Sequence, residues 1–268
     1  MIQASATYTH GQHRSVLDSY AWRSASNSAS YLLPHLNSGL SVLDIGCGPG
    51  TITADLADIV APGEVIAMDA STEVLQRAAA LFTERGLAVR TMAADATSTG
   101  LADDCVDVVH AHQVLQHVAD PVAVLSEMRR ICRPGGLVAA RDADYAAFTW
   151  YPQAPSITAW LALYRQVTRA NGGEPDAGRR LRSWARQAGF TDITATSSTW
   201  TYASAEATAW WAKVWADRIL LSPIAEQSVA GGFATQSELE GIAAGWQQWG
   251  QAPDAWFVIL HGEILCRT

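Results

Sequence analysis

The first half of the chain alternates short apolar segments with segments whose apolar residues recur every three or four positions. The short segments are typical of buried strands, and the periodic ones are typical of amphipathic helices. Strands are predicted at 41–45, 63–68, 88–93, 104–111 and 137–141, and helices at 51–60, 71–85 and 121–132. Such an alternation predicts a parallel sheet with helices on both faces.

The pattern differs before and after this region. Residues 15–36 are predicted to form a helix that ends at Pro34. Beyond residue 150, helices are predicted at 156–171, 178–188, 203–221 and around 239–249, and strands at 193–201 and 255–265. The segment 203–252 therefore lies between the last two predicted strands. We expect it to form a helical lid over the edge of the sheet, together with the N-terminal segment.

Composition limits the classes of partner. The chain has 268 residues, 49% of them apolar, and a net charge of −8. An acidic surface argues against nucleic acid and against anionic membranes, because phosphate contacts need clustered Lys and Arg. No signal peptide and no membrane-spanning run is expected, and the four cysteines have no metal-binding spacing. These features predict a reduced, cytoplasmic protein without a metal site.

A glycine-rich loop carries the strongest chemical signal. The predicted first strand ends in Asp44 and Ile45, and the chain continues Gly-Cys-Gly-Pro-Gly into a helix that begins at Thr51. Alternate glycines let the backbone turn sharply and approach a ligand. A dinucleotide site requires glycine where Thr51 stands. Asp44 would repel a pyrophosphate, but it suits the amine of an amino acid such as the methionine part of S-adenosylmethionine (SAM).

Over residues 40–145 the sequence resembles the class I SAM-dependent methyltransferases. Residues 42–51 resemble their first motif, Asp69 the acid that binds the ribose hydroxyls, and Asp95-Ala96 the pair at the adenine amino group. Residues 107–117 resemble the fourth motif, and 133–136 the turn before the fifth strand. The most similar group is that of the ubiquinone- and menaquinone-biosynthesis-like small-molecule enzymes, which residues 13–34 also resemble.

This resemblance implies an α/β, Rossmann-like fold with a seven-stranded, mostly parallel sheet. It divides the chain into a helical leader (1–40), a SAM-binding core (41–150), and substrate-side helices with the closing strands of the same sheet (151–268). The residues implied for SAM binding are Asp44, Gly46, Cys47, Gly48, Gly50, Thr51, Asp69, Ala70, Asp95, Ala96, His112, Gln113 and Arg23. Arg23 would reach the SAM carboxylate or lie on the surface, and His110 is expected in the core.

Candidate catalytic residues follow the fourth and fifth strands. His117, Asp142 and Asp144 are the predicted proton acceptors, since a phenol or an acidic carbon must lose a proton. Tyr145, Trp150, Trp211 and Trp215 are the predicted substrate contacts. The alternatives are a packing histidine, a solvated loop, and tryptophans that only pack between helices.

The predicted function is transfer of a methyl group from SAM to O, N or C of a small apolar or aromatic metabolite. One alternative keeps the fold but catalyses another reaction, such as a cyclisation. A second is a SAM-binding subunit without catalysis, and a third is an NAD(P) oxidoreductase, which Asp44 and Thr51 disfavour. The sequence also allows a homodimer.

Overall fold

Eight strands form one mixed sheet in the computed structural model, which describes residues 22–268. The strands are β1 Val42–Ile45, β2 Val65–Asp69, β3 Val89–Ala93, β4 Val106–His112, β5 Cys132–Ala143, β6 Thr149–Tyr151, β7 Asp192–Tyr202 and β8 Trp256–Arg267. The helices are α1 Ala25–Ser28, α2 Thr51–Val60, α3 Thr72–Glu84, α4 Pro121–Ile131, α5 Pro155–Ala170, α6 Leu181–Gln187, α7 Ala205–Leu221, α8 Pro223–Ala230 and α9 Gln236–Trp249.

The strand order confirms the predicted mostly parallel sheet. Strands β3, β2, β1, β4 and β5 lie side by side and are parallel. Strand β8 is antiparallel to β5 and to β7. The short β6 pairs with the start of β8, beyond the part that pairs with β5. It therefore continues the line of β5, and the sheet is seven strands wide.

Apolar side chains cover both faces of the sheet. On one face Leu125 and Met128 of α4 and Leu181 of α6 pack against β1, β4 and β5. On the other face Leu32 and Leu56 pack against residues of β1 and β4. Because both faces are buried, the central strands are almost continuously apolar, as their sequence predicted.

The insertion between β7 and β8 is helical, as expected, and it encloses its own core. Trp160 of α5 is fully buried, and its ring lies edge-on to Trp215 of α7 at 4.3 Å and to Trp246 of α9 at 5.0 Å. Phe257 of β8 joins this cluster. Most of the C-terminal tryptophans therefore fix the lid to the sheet. Among the described residues, no helix has the length and apolar character needed to cross a bilayer.

The leader differs from the prediction. Residues 15–21 lie outside the described residues, and 22–36 do not form one helix. They contain only α1 and a 3-10 turn at Leu33–His35. Ser24 and Asn27 form a capping box around α1, and such short polar side chains compete for backbone groups and favour helix ends. The predictions also missed β6 and α8, and the turn predicted at 134–136 lies within β5.

Two glycines bring a 3-10 turn, Gly178–Arg180, against the middle of β8. A Cβ atom on Gly262 would overlap the carbonyl oxygen of Gly178. This approach positions Arg179, whose side chain donates two hydrogen bonds of 2.7 Å to the carboxylate of Asp144 after β5. Close backbone packing here thus fixes the end of β5.

We predict that Gly262→Ala lowers the free energy of unfolding by about 1–3 kcal/mol, because a backbone oxygen must move to admit the methyl group. Gly241→Ala is the matched control: it is exposed in α9 and its added methyl would meet nothing. That control should gain about 0.5–1 kcal/mol from helix propensity. Urea denaturation measures both values, and equal stability of the two variants would contradict the close approach.

Candidate active site

The β1–α2 loop lies at the carboxyl end of the central strand, and its three alternate glycines have positive φ angles. A Cβ atom on Gly46 would overlap Val114, and one on Gly50 would lie 2.7 Å from the ring of Phe82. At Gly48 an added Cβ would meet nothing within 4 Å. Gly46 and Gly50 therefore serve packing, and the open space for a ligand lies beside Gly48.

Asp44 lies beneath this loop rather than on its open side. It is 2% exposed, and its carboxylate bonds the buried His110 Nδ1 at 2.8 Å and accepts a hydrogen bond from Thr53 Oγ1. These bonds tie β1 to β4 and α2. Each carboxylate oxygen thus carries one bond, and the contact of Asp44 with the amine of SAM stays a prediction. The expectation that His110 is a core residue is confirmed by its full burial.

The end of β2 bears the acid expected to bind ribose. Asp69 accepts hydrogen bonds from the backbone N–H groups of Gly48 at 3.1 Å and Ser71 at 2.9 Å. Burial raises the pKa of Asp69, and those backbone bonds oppose the rise. Each oxygen keeps a free lone pair for a hydroxyl group. The open space beside Gly48, next to the carboxylate of Asp69, thus fits the adenosyl part of SAM.

The neighbouring predicted contacts are less enclosed. Asp95 is exposed, and its side chain accepts hydrogen bonds from the N–H and hydroxyl groups of Thr97, which lower its pKa. Ala96 is half-buried and Ala70 is exposed. The buried Cys47 follows Gly46, and Thr51 begins α2. The bonds from Thr97 thus engage Asp95 in a local turn. Its contact with adenine stays a prediction.

Gln113 follows β4 in a left-handed conformation, with a φ of 54°, which non-glycine residues seldom adopt. Its backbone N–H donates to the carbonyl of Arg141 at 2.7 Å. Its side-chain oxygen accepts a hydrogen bond from Arg23 Nη2 at 2.7 Å, so its NH₂ group faces His261 Nε2 at 2.9 Å. One side chain therefore joins the leader, β4 and β8 at the sheet edge.

Several buried polar side chains surround Gln113. His112 and Arg141 occupy paired positions on β4 and β5, so both project from one face of the sheet. Neither ring nitrogen of His112 has a hydrogen-bond partner in the described residues, and neither do the two terminal nitrogens of Arg141. Burial, with Arg23 and Arg141 nearby, lowers the pKa of His112 well below its usual value. Such orphaned polar atoms fit a polar ligand.

An enclosed cavity of about 30 Å³ lies at the carboxyl edge of β5 and β7, beneath α7. Its walls combine leader, sheet and lid: Arg23, Gln113, Ala143, Tyr145, Phe148, Trp200, Tyr202, Trp211, Trp215, Arg218 and Ile259. Three of the four predicted substrate residues, Tyr145, Trp211 and Trp215, thus meet at one cavity. The fourth, Trp150, is buried on β6 and does not line it.

The three predicted proton acceptors do not line this cavity. His117 Nε2 faces the side-chain NH₂ of Gln116 at 2.9 Å, because the oxygen of Gln116 accepts the N–H of Ala143. Burial, with Arg23 and Arg218 nearby, lowers the pKa of His117 to about 3. A neutral imidazole whose acceptor nitrogen is engaged is a poor base, so the structure does not support His117 in that role.

The two aspartates have different surroundings. Asp144 is held by the two-pronged ion pair with Arg179, which fits a structural role and not the predicted catalytic one. Asp142 is fully buried, and one oxygen accepts the N–H of Gln116 while the other has no partner among the described residues. Burial raises the pKa of Asp142 to about 7. It can therefore hold a proton near neutrality, but away from the cavity.

The sequence analysis missed Trp200, Tyr202 and Arg218 of the cavity wall, and His261, which lies beside Gln113. The alternation along β7 could have placed Trp200 and Tyr202 on one face of the sheet. Arg218 offered no such signal, since it lies on the lid helix and reaches the cavity only through the packing of α7. In residues 22–268, no group of three or more His, Cys, Asp or Glu side chains is arranged to hold a metal.

Comparisons with known proteins agree with this geometry. The profile of a family described as a methyltransferase domain matches residues 43–140. An uncharacterized methyltransferase of Schizosaccharomyces pombe is 32% identical over 267 residues, which cover 96% of this chain and 95% of the relative. The chain belongs to the class I SAM-dependent methyltransferases. SAM is accordingly the methyl donor of this methyltransferase.

Other similarities are partial or concern the fold. A ubiquinone biosynthesis O-methyltransferase of Cereibacter sphaeroides is 38% identical over 100 residues, 37% of this methyltransferase and 40% of the relative. A solved structure from Bacillus halodurans, described as a candidate methyltransferase, superimposes with a TM-score of 0.59 at 18% identity, covering 89% of this chain and 97% of that one. The resemblance to quinone-biosynthesis enzymes is thus distant and partial.

We predict that Asp69→Asn weakens SAM binding about tenfold to a hundredfold, because a neutral amide cannot accept two charge-assisted hydrogen bonds from a ribose diol. Glu73→Gln is the matched control: it removes a charge one turn into α3, where Glu73 is exposed and pairs with Arg77. Isothermal titration with SAM measures both affinities. An unchanged dissociation constant for Asp69→Asn would refute the assignment.

The raised pKa of Asp142 predicts that the stability of the protein depends on pH. Its folded-state pKa lies above that of an unfolded aspartate, so the folded protein binds an extra proton between about pH 4 and pH 7. The free energy of unfolding should therefore fall as pH rises through this window, by up to roughly 1.4 kcal/mol per pH unit. Asp142→Asn should lose this dependence.

The comparison is made by urea denaturation at pH 5 and pH 8. Relative to wild type, Asp142→Asn should be more stable at pH 8 than at pH 5. Asp254→Asn, at an exposed aspartate before β8, should follow wild type at both values. A stability difference for Asp142→Asn that stays constant with pH would contradict the raised pKa.

Proposed function

We propose that this methyltransferase transfers a methyl group from SAM to a small acceptor with an apolar or aromatic body, bound in the cavity beneath α7. The single observation that carries the proposal is the aromatic wall of that cavity. Phe148, Trp200 and Trp211 line it, close to the buried end of β4. Aromatic walls with a few directed polar groups are typical of sites for small planar molecules.

The position of the cavity supports this proposal. Gln113 and Arg23 line it, and Gln113 directly follows His112, one of the residues implied for SAM binding. When bound, SAM supplies a sulfonium methyl group that is already electrophilic. The protein then contributes mainly alignment of the acceptor and exclusion of water. The burial of Trp200, Trp211 and Trp215 under the lid provides that exclusion.

The lid must open for exchange. Trp22 of the leader packs edge-on against Trp200 at 5.1 Å and lies 6.5 Å from Trp210 of α7. A cavity of about 30 Å³ admits water but is too small for an aromatic ring. The acceptor therefore enters when the leader and α7 separate, as in other enzymes that exclude water by closing a lid.

The test incubates the protein with methyl-labelled SAM and a panel of phenols, aromatic acids, aromatic amines and aliphatic alcohols. Label should move to an aromatic member, with equal release of S-adenosylhomocysteine. Transfer to aliphatic members alone would contradict the aromatic acceptor. SAM binding without S-adenosylhomocysteine release for any member would instead favour a reaction other than methyl transfer.

For the acceptor found, we predict that Trp211→Phe raises KM about tenfold, since a smaller ring loses contact in the cavity wall. The matched control is Trp249→Phe, which alters a buried tryptophan of the same cluster that does not line the cavity. Steady-state kinetics should show a raised KM for the first variant alone, with the SAM affinity of both unchanged. Equal KM values in the two variants would contradict binding of the acceptor in this cavity.

A further inference from the structure

Arg141, near the carboxyl end of β5, is a buried residue that uses only part of its hydrogen-bonding capacity. It is 1% exposed, and its Nε donates to Ser198 Oγ at 3.1 Å and to Glu263 Oε1 at 3.2 Å. Its Nη1 and Nη2 atoms are also buried, and neither has a hydrogen-bond partner in residues 22–268. Burial lowers the pKa of Arg141 to about 10, so the guanidinium keeps its charge near pH 7. Buried donors normally have an acceptor, so these two nitrogens indicate a ligand.

Two contacts fix the orientation of this guanidinium. Its Cζ atom lies over the ring of Trp200, 4.9 Å from the centroid. The carboxylate of Glu263 is held at the Nε edge, because the hydroxyl groups of Thr196 and Ser198 also donate to it. Arg141 therefore presents its Nη1 and Nη2 atoms as a fork, and such a fork matches the two oxygens of a carboxylate.

Further polar atoms without a described partner lie near Arg141. His112 occupies the paired position on β4, and this holds for both of its ring nitrogens. It holds too for the buried hydroxyl group of Tyr31 in the leader. Burial raises the pKa of Tyr31 while Arg141 opposes the rise, so the two side chains are close. Arg141, His112 and Tyr31 thus form a polar cluster with hydrogen bonds to offer.

This polar cluster adjoins the glycine loop. Ile45, the last residue of β1, pairs with Ala111 of β4, so His112 lies level with the first glycine of the loop. Asp44 pairs with His110, two residues before His112, and therefore lies on the same face of the sheet as His112 and Arg141. A ligand on this face can meet a carboxylate at β1 and a guanidinium at β5.

We propose that Arg141 and His112 bind the carboxylate of the methionine part of SAM, with Arg141 as a two-pronged donor. The neutral imidazole of His112 supplies one further N–H. With the amine directed to Asp44, the zwitterionic end of SAM lies along one face of the sheet. Arg23, which the sequence suggested for this carboxylate, is committed at its Nη2 atom to Gln113.

The spacing of the strands is compatible with this assignment. The path from Asp69 to Arg141 crosses the ends of β1 and β4, about 14 Å at the usual separation of neighbouring strands. An extended amino-acid chain on the ribose, together with the long side chain of Arg141, covers such a distance. The inference concerns the methyl donor alone and does not depend on the acceptor proposed above.

The experiment compares S-adenosylhomocysteine with its decarboxylated analogue, in which a hydrogen atom replaces the carboxylate. Titration calorimetry with wild-type protein, without any acceptor, measures both affinities. S-adenosylhomocysteine should bind about tenfold to a hundredfold more tightly, because the analogue leaves the fork of Arg141 unfilled. Equal affinities would overturn the proposal and leave the fork to a carboxylate of the acceptor.

Arg141→Lys locates the effect. A lysine keeps the positive charge beside Glu263, but it cannot present two parallel donors. S-adenosylhomocysteine should bind about tenfold more weakly to this variant, with the affinity of the decarboxylated analogue unchanged. Arg133→Lys is the matched control near the other end of β5, where Arg133 is exposed and pairs with Asp107 at 2.7 Å, and it should change neither affinity. An Arg141→Lys variant that weakens both ligands alike, or neither, would overturn the proposal.

His112→Phe is the second variant and keeps the test decisive if circular dichroism shows that Arg141→Lys is unfolded. Phenylalanine preserves a ring beside Trp200, whose centroid lies 5.6 Å from that of His112, and removes both nitrogens without breaking a described hydrogen bond. The affinity for S-adenosylhomocysteine should fall about threefold to tenfold, and that for the analogue should not. A folded His112→Phe variant with the wild-type ratio of the two affinities would contradict the assignment of His112.

Discussion

The candidate site depends on the hydrogen bonds that the side-chain amide of Gln113 makes. Its oxygen accepts from Arg23 of the leader, and its nitrogen faces His261 of β8. Its backbone, in a strained left-handed conformation, donates to the carbonyl of Arg141 on β5. Strain of this kind persists only where the surroundings impose it, and it is concentrated at functional sites. Here it joins the cofactor side of the sheet edge to the acceptor cavity.

Burial then determines the chemistry of that edge. The acids at the end of β5 are engaged or lie away from the cavity, and the nearby histidines are held neutral by burial and by arginines. The cavity itself is lined mainly by aromatic side chains, with a few polar groups among them. The site therefore differs from one that deprotonates its acceptor with a histidine.

The sequence predicted the parts of the fold that depend on local pattern. The alternation of strands and helices, the glycine loop and the lid insertion were confirmed, because each follows from the periodicity of nearby residues. Individual side chains were harder to place. Asp142 and Asp144 follow the predicted strand, as expected. However, Asp144 is paired with Arg179, and the pleat of β5 turns Asp142 away from the cavity. Arg218 reaches the cavity only through tertiary packing, which no local pattern reveals.

The most direct test of this account is a crystal structure with S-adenosylhomocysteine bound. We expect the ribose hydroxyls on Asp69 and the sulfur facing the cavity beneath α7. A ribose bound elsewhere would contradict the cofactor site. A sulfur that faces away from this cavity would contradict the proposed acceptor site.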